Sequence, residues 1–328
     1  MEGSMSSSKL EKTLARVKQR IADHQFYEAH QALKTVAARY IKSQQYDQAI
    51  ELLYHGAQEL LTAGEGGSGG DLSCYLIDTY KLAKIPVGSA SKARVVQLFN
   101  LFKEDEPRRK EFVQDAVQWS ALYGEVGYGD PELFHIFGSA FASEDLPYDA
   151  EKFLLLGTKD SPIVLADLLY EWFSEDPEVV TVSFYISRAV LGYLTVGNIR
   201  GAGLALDHYL SKFIASGRTS QPKVLSGAGD EITEFSQFPL LNFLQLLIRT
   251  CQRKNADLFK RLRFRYKNDI KDAFDVEIDE ALGKIGERFF DIQFRTQANL
   301  LQDLMGSLFS GPPRGDQNRP QIQGNDLD

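Results

Sequence analysis

The stretch Phe26–Leu61, FYEAHQALKTVAARYIKSQQYDQAIELLYHGAQELL, constrains the fold more than any other part of this chain. Phe26, Ala29, Leu33, Val36, Ala37 and Tyr40 recur at steps of three and four, which puts them on one helix face. Tyr46, Ala49, Ile50, Leu53, Gly56, Ala57, Leu60 and Leu61 repeat the pattern on a second helix. The link Lys42–Gln45 is short enough to turn that helix back antiparallel to the first. Each helix opens with an aromatic residue three positions ahead of an alanine, Phe26/Ala29 and Tyr46/Ala49. Bulk over a small residue lets neighbouring helices approach closely, the habit of helical-repeat proteins. One pair cannot bury its whole apolar stripe, so further pairs are expected beside it.

The same spacing recurs along the chain. Leu10, Leu14, Val17 and Ile21 predict an opening helix over Lys9–His24. Gly64–Gly70 reads as a loop, and Asp71 as the N-cap of a helix to about Lys84. Helices are predicted over Lys92–Lys103 and from Pro107 through Tyr123. Asp130-Pro131 has the form of an N-cap with proline at the first helical position. It opens a helix to Ser143, followed by Tyr148–Leu156 and Pro162–Phe173. Pro147-Tyr148-Asp149-Ala150 faintly repeats the hairpin openings. Two longer helices run to Thr195 and over Ile199–Ala215. Ser216–Phe238 breaks the pattern: it is rich in Gly, Ser and Thr, with β-compatible pieces at Lys223–Leu225 and Glu231–Phe235. Helices resume over Pro239–Gln252, Asn255–Tyr266, Val276–Ile292 and Ala298–Phe309. The resulting fold class is all-α, an α-solenoid of stacked antiparallel pairs of TPR-like build, with a small β-hairpin near 217–238. Residues 1–8 are read as disordered or as a cloning remnant. An N-terminal half covers 9–145, a C-terminal half 146–310, and 311–328, with almost nothing apolar to bury, is a disordered tail.

Several classes of chemistry lack their residues. A net charge of −8 argues against a general nucleic-acid binder. Cys74 and Cys251 lie far apart and suggest neither a disulfide framework nor a zinc site. No apolar run reaches the roughly 18 residues of a membrane span. The polar N-terminus is not a signal peptide, and the cytosol is the expected compartment. Gly64–Gly69 formally matches G-x-G-x-x-G, but a helix precedes it where a dinucleotide fold needs a strand, so it reads as a flexible loop. Five histidines (His24, His30, His55, His135, His208) show no metal spacing, and no serine stands in a G-x-S-x-G elbow. Arg314-Gly315-Asp316 sits in a tail without export signals. No catalytic constellation, metal site or cofactor is expected.

Nine basic residues lie between Arg249 and Lys271 against Asp257 and Asp269. They suit either an acidic partner or a solvated helix face. Asp272, Asp275, Glu277, Asp279 and Glu280 follow closely enough to blunt the field, which favours the solvated face. On the second helix Tyr27, His30, Gln31 and Lys34 lie off the apolar stripe. With Glu28 and Arg39 they form a polar and aromatic face suited to a partner or simply to water.

At these residues the chain resembles the fourth subunit of the guided-entry pathway for tail-anchored proteins, the Golgi-to-ER traffic protein four family. Tyr27-Glu28-Ala29-His30-Gln31 with Arg39-Tyr40 is similar to that family's opening signature. Asp71-Leu72-Ser73, Trp119-Ser120, Gly129-Asp130-Pro131 and Leu241-Asn242-Phe243-Leu244 match in order. So do Gly286-x-x-Phe289-Phe290 and Leu300-Leu301-x-x-Leu304-Met305. The resemblance implies an α-solenoid without enzymatic activity that recruits the pathway's homodimeric targeting ATPase, preferring its nucleotide-bound state. With a ubiquitin-like-domain co-subunit it promotes transfer of tail-anchored proteins from an upstream co-chaperone, with no nucleic acid bound and no membrane insertion. It implies that Tyr27, Glu28, His30, Gln31 and Arg39 face the ATPase, with Asp71 making a regulatory contact, and Lys34 joins these candidates by its place on the same helix face. It also implies that the C-terminal half grips the co-subunit's N-terminal segment, for which Phe235, Phe238, Leu240, Leu241 and Phe243 are candidates. Phe235 and Phe238 are expected on the rim of that groove. A proteasome-lid-like or signalosome-like scaffold subunit remains the alternative.

Overall fold

The computed structural model describes residues 2–219, 222–227, 230–268 and 276–292. Helices α1 (Glu2–Ala22), α2 (Phe26–Lys42), α3 (Tyr46–Thr62), α4 (Gly66–Ala83), α5 (Ser89–Phe99), α6 (Pro107–Tyr123) and α7 (Pro131–Ser143) build the N-terminal half. The chain continues with α8 (Pro147–Leu154), α9 (Ser161–Glu175), a 3-10 turn at Val179–Thr181, α10 (Val182–Thr195) and α11 (Ile199–Ala215). A hairpin of β1 (Lys223–Gly227) and β2 (Asp230–Glu234) leads into α12 (Pro239–Arg253), α13 (Ala256–Tyr266) and α14 (Val276–Phe290). The hairpin is antiparallel, with Lys223 opposite Glu234 and Gly227 opposite Asp230. One continuous apolar core runs through the array from Val17 to Phe290. The expected helix over Ala298–Phe309 and the tail lie outside the described residues.

A single corner recurs and explains the stacking. His24, Gln44, Gly64, Asp145 and Gly197 each adopt positive φ just after a helix. In each, the next residue's N–H reaches back to a helical carbonyl: Gln25 to Arg20, Gln45 to Tyr40, Glu65 to Leu60, Leu146 to Phe141 and Asn198 to Tyr193. This is the Schellman closure, in which one left-handed residue lets the chain leave the helix with its last carbonyls satisfied. Five positions after each left-handed residue comes a small one: Ala29, Ala49, Gly69, Ala150 and Ala202, all buried. A small side chain there lets the new helix lie against the one just ended.

That corner corrects the reading of Gly64–Gly70. Gly66–Gly70 is the first turn of α4, capped from Glu65, and Asp71 lies inside the helix instead of capping it. A Cβ on Gly69 would lie 2.6 Å from Leu61 Cγ and 2.9 Å from the Leu61 backbone nitrogen, and one on Gly70 would lie 2.6 Å from Arg108 Cβ. Glycine is thus required for packing between α3, α4 and α6, which outweighs its poor helix propensity of about 1 kcal/mol per residue. Helix α1 also begins at Glu2, ahead of Lys9.

Buried polar links fasten successive layers. Arg109 of α6 makes a two-pronged pair with Glu144 at the α7–α8 corner, both bonds 2.5 Å. Trp119 Nε1 donates to the Ile85 carbonyl at 2.9 Å. Tyr193 and Tyr209 donate to the carbonyls of Leu154 and Val182.

Candidate functional site

Helix α2 packs Ala29, Leu33 and Ala37 into the core, which leaves its opposite side free. Tyr27 stands 71% exposed at its first turn. One and two turns on, His30 and Lys34 point at α4, where both grip a single carboxylate. His30 Nε2 and Lys34 Nζ each lie 2.8 Å from Asp71 Oδ2, and Arg108 of α6 approaches Oδ1 at 3.9 Å. A carboxylate only accepts, so His30 Nε2 is the donor; Gln31 Nε2 lies 3.4 Å from Nδ1. Partial burial pushes the Asp71 carboxyl up, but hydrogen bonds from Lys34 and His30 outweigh it and hold the group below its ordinary value.

Asp71, His30, Lys34 and Gln31 therefore come together, and Tyr27 shares their strip. Glu28 and Arg39, eleven residues apart, share a different exposed strip about a third of a turn round α2. Sequence reasoning missed Arg108, because nothing in its own neighbourhood announces that α6 lies beside Asp71. Together these helices border a shallow cleft of about 470 Å³ reaching from Lys34 and Asp71 to Glu111 and Asp115.

Ligand atoms of Cys74, Glu111 and Asp115 fall within 4.8 Å of one another on its floor, a spacing that suits a metal ion. The donor set fits poorly. Asp115 is held by Lys81 at 2.8 Å and Glu111 by Arg108 at 2.8 Å. Burial, then the charges of Glu111 and Asp115, push the Cys74 thiol up to about 12, opposite to a thiolate ligand's need. A second close pair, His135 Nδ1 to Ser161 Oγ at 2.9 Å, joins α7 to α9, but Ser161 is fully buried and out of reach of a substrate.

In the C-terminal half the residues expected at a partner rim are core. Phe235 and Phe238 are 3% and 5% exposed and pack on Phe213, with ring centroids 6.2 and 5.5 Å away. Leu240, Leu241 and Phe243 are buried too. The reason lies in two amides of α12. Asn242 bonds both the N–H and the carbonyl of Phe235 at 2.9 Å. Gln245 does the same to Thr233 at 3.0 and 2.8 Å. They substitute for a sheet neighbour, clamp β2 onto α12 and drive the two rings inward.

The clamped hairpin opens a groove of about 600 Å³ on its other side. Leu225, Ile232, Leu246, Leu258 and Leu262 form its apolar walls, and Arg249, Arg253, Arg261 and Arg265 edge it. Helices α12 and α13 bring these four arginines to one place, and Arg253, Arg261 and Arg265 are exposed to water there, as a solvated face requires. Asp272 and Asp275, expected to balance them, lie outside the described residues.

This array of stacked helical pairs, with one small hairpin inserted, defines a helical-repeat protein of the α-solenoid class. Residues 43–309 match the family model Golgi to ER traffic protein 4, and the chain belongs to that family. It is 42% identical to Golgi to ER traffic protein 4 of Aspergillus fumigatus over 95% of this chain and 94% of the relative. Against the Schizosaccharomyces pombe protein of that name identity is 34%, over 88% and 92%. The crystal structure of C. therm. Get4 superimposes with a TM-score of 0.82 at 38% identity, covering 96% of this chain and all of that one. Membership places the chain in tail-anchored protein targeting and transport. Among the described residues, no helix is long and apolar enough to cross a membrane.

Proposed function

We propose that this chain is a non-enzymatic adaptor that holds the targeting ATPase on α2 and α4 and a ubiquitin-like-domain co-subunit in the arginine-edged groove of its C-terminal half. The observation that carries the reading is the convergence of His30, Lys34 and Asp71. The family resemblance selected His30 and Asp71 from separate stretches, and they meet, with Lys34 from the same helix as His30, on one carboxylate beside exposed Tyr27. Asp71 holds the His30 ring and the Lys34 ammonium in fixed positions, so the face is preorganised before a partner arrives. An ATPase needs only to fit this face better in one nucleotide state, by about 1–3 kcal/mol, for recruitment to follow its cycle. In the groove, apolar walls with a basic edge suit an amphipathic segment carrying acidic residues. Holding both partners on one array raises the effective concentration of client-bearing chaperone at the ATPase.

The test is a binding titration against the targeting ATPase with ATP, with ADP and without nucleotide, using the wild-type chain, Asp71→Ala and His30→Ala/Lys34→Ala. Nucleotide-dependent binding weakened tenfold or more by either variant supports the assignment. Equal affinity in all three chains would remove the α2–α4 face from the interaction.

A further inference from the structure

A second groove, of about 840 Å³, lies between α8, α9, α10 and α14, away from both faces described above. Leu155, Trp172, Phe184, Leu191, Val196 and Ile278 give it an apolar and aromatic floor, with Glu151, Glu175, Asp176 and Arg188 around it. Phe184 and Val196 stand exposed to water.

We infer that this groove is the intramolecular docking site of the chain's own segment 300–309, LLQDLMGSLF. Four observations point to this occupant instead of a separate partner. First, Leu300, Leu301, Leu304, Met305, Leu308 and Phe309 form one stripe at helical spacing, and Asp303 is the only charge among the ten residues. Second, the chain leaves the described structure beside the groove. Helix α14 supplies one wall through Ile278 and Ala281, and near its end Arg288 lies against Gly197, next to Val196. The N–H of Ile292 closes on the Gly286 carbonyl at 3.1 Å. Third, the lengths agree. The eight steps from Ile292 to Leu300 reach up to about 26 Å. Ten helical residues span about 15 Å, close to the roughly 18 Å of α10 between Phe184 and Val196. Fourth, the family model matches through residue 309 and no further, so it stops where the apolar stripe stops. A segment that merely trailed in water would gain nothing from six large apolar residues.

The inference stands apart from either proposed partner, and the chain carries its own reporter. Of its two tryptophans, Trp119 is fully buried in the N-terminal half while Trp172 lines this groove. Acrylamide quenching of tryptophan fluorescence therefore reads access to Trp172. It is measured on the full chain, on full-length Leu304→Asp/Leu308→Asp and on a chain ending at residue 292, with far-UV circular dichroism as the folding control. The expected result is a quenching constant at least twofold higher in both altered chains than in the wild type, with a synthetic 298–311 peptide returning the truncated chain toward the wild-type value. Should the truncated chain fold poorly, the double aspartate variant alone carries the comparison. Equal quenching in the wild type and the folded double variant would overturn the inference.

Discussion

Removing the guanidinium of Arg109 tests how α6 is fastened to the α7–α8 corner. Its side chain and that of Glu144 are only 5% and 10% exposed, and they exchange two 2.5 Å hydrogen bonds. The guanidinium also lies 4.5 Å from the Phe99 ring and 5.4 Å from that of Phe141. Arg109→Met keeps most of the stem's packing but strands the Glu144 carboxylate in a site with little water. Deleting one member of a buried pair costs about 3–5 kcal/mol, because the survivor keeps its desolvation penalty without its partner. Arg109→Met/Glu144→Leu removes both charges, so most of that loss should return. The assay is urea unfolding followed by circular dichroism, read as a double-mutant cycle. The expected coupling is at least about 2 kcal/mol, inside the range seen for groups in direct contact. Additive losses within about 0.5 kcal/mol would refute the reasoning, since the pair would then behave as two independent packing residues.

Further outcomes follow from the same structure. Phe235→Ser/Phe238→Ser should unfold or grossly destabilise the chain, by about 3–5 kcal/mol per ring if each loss resembles other large buried truncations, visible as a lower melting temperature. Leu225→Asp/Leu258→Asp, in the arginine-edged groove, should leave melting within a few degrees of wild type while abolishing co-purification of the ubiquitin-like co-subunit. Burial holds both thiols at about 12, so Cys74 and Cys251 should resist alkylation at pH 8 in the native chain and react at once in denaturant. Asp71 titrates below its ordinary value of 3.8 when folded, so its contribution is present above that pH and is lost as pH falls through the folded value. Asp71→Asn should therefore cost about 1 kcal/mol at pH 7 and progressively less as pH falls below 3.8, checked by urea unfolding across that range.

Much of the helical array was legible because its signals are local. Asp130 caps α7 as its sequence form suggests, its Oδ1 accepting from the N–H groups of Glu132 and Leu133. The aromatic-to-alanine openings of α2 and α3 mark the corner that recurs down the chain. The same corner written in glycine was illegible. Gly66–Gly70 has loop composition, and only the Leu61 and Arg108 side chains packed against it show why a helix begins there. The N-terminal face was half legible: α2's polar strip could be read from its period, but Arg108 could not. The C-terminal rim was misread because Phe and Leu beside an irregular loop look alike whether they face a partner or the core. Asn242 and Gln245 decide it by turning β2 inward.

The sequence alone determined most of the helices, the inward face of α2 and α3, and the family to which the chain belongs, since caps, periods and ordered motifs act within a few residues of themselves. Only the tertiary structure decided which distant residues share a carboxylate, which glycines are packing surfaces and where the open grooves lie. Those outcomes depend on contacts between side chains some 40 residues apart, as His30 is from Asp71. Stacking geometry creates such neighbours, and no local pattern encodes them.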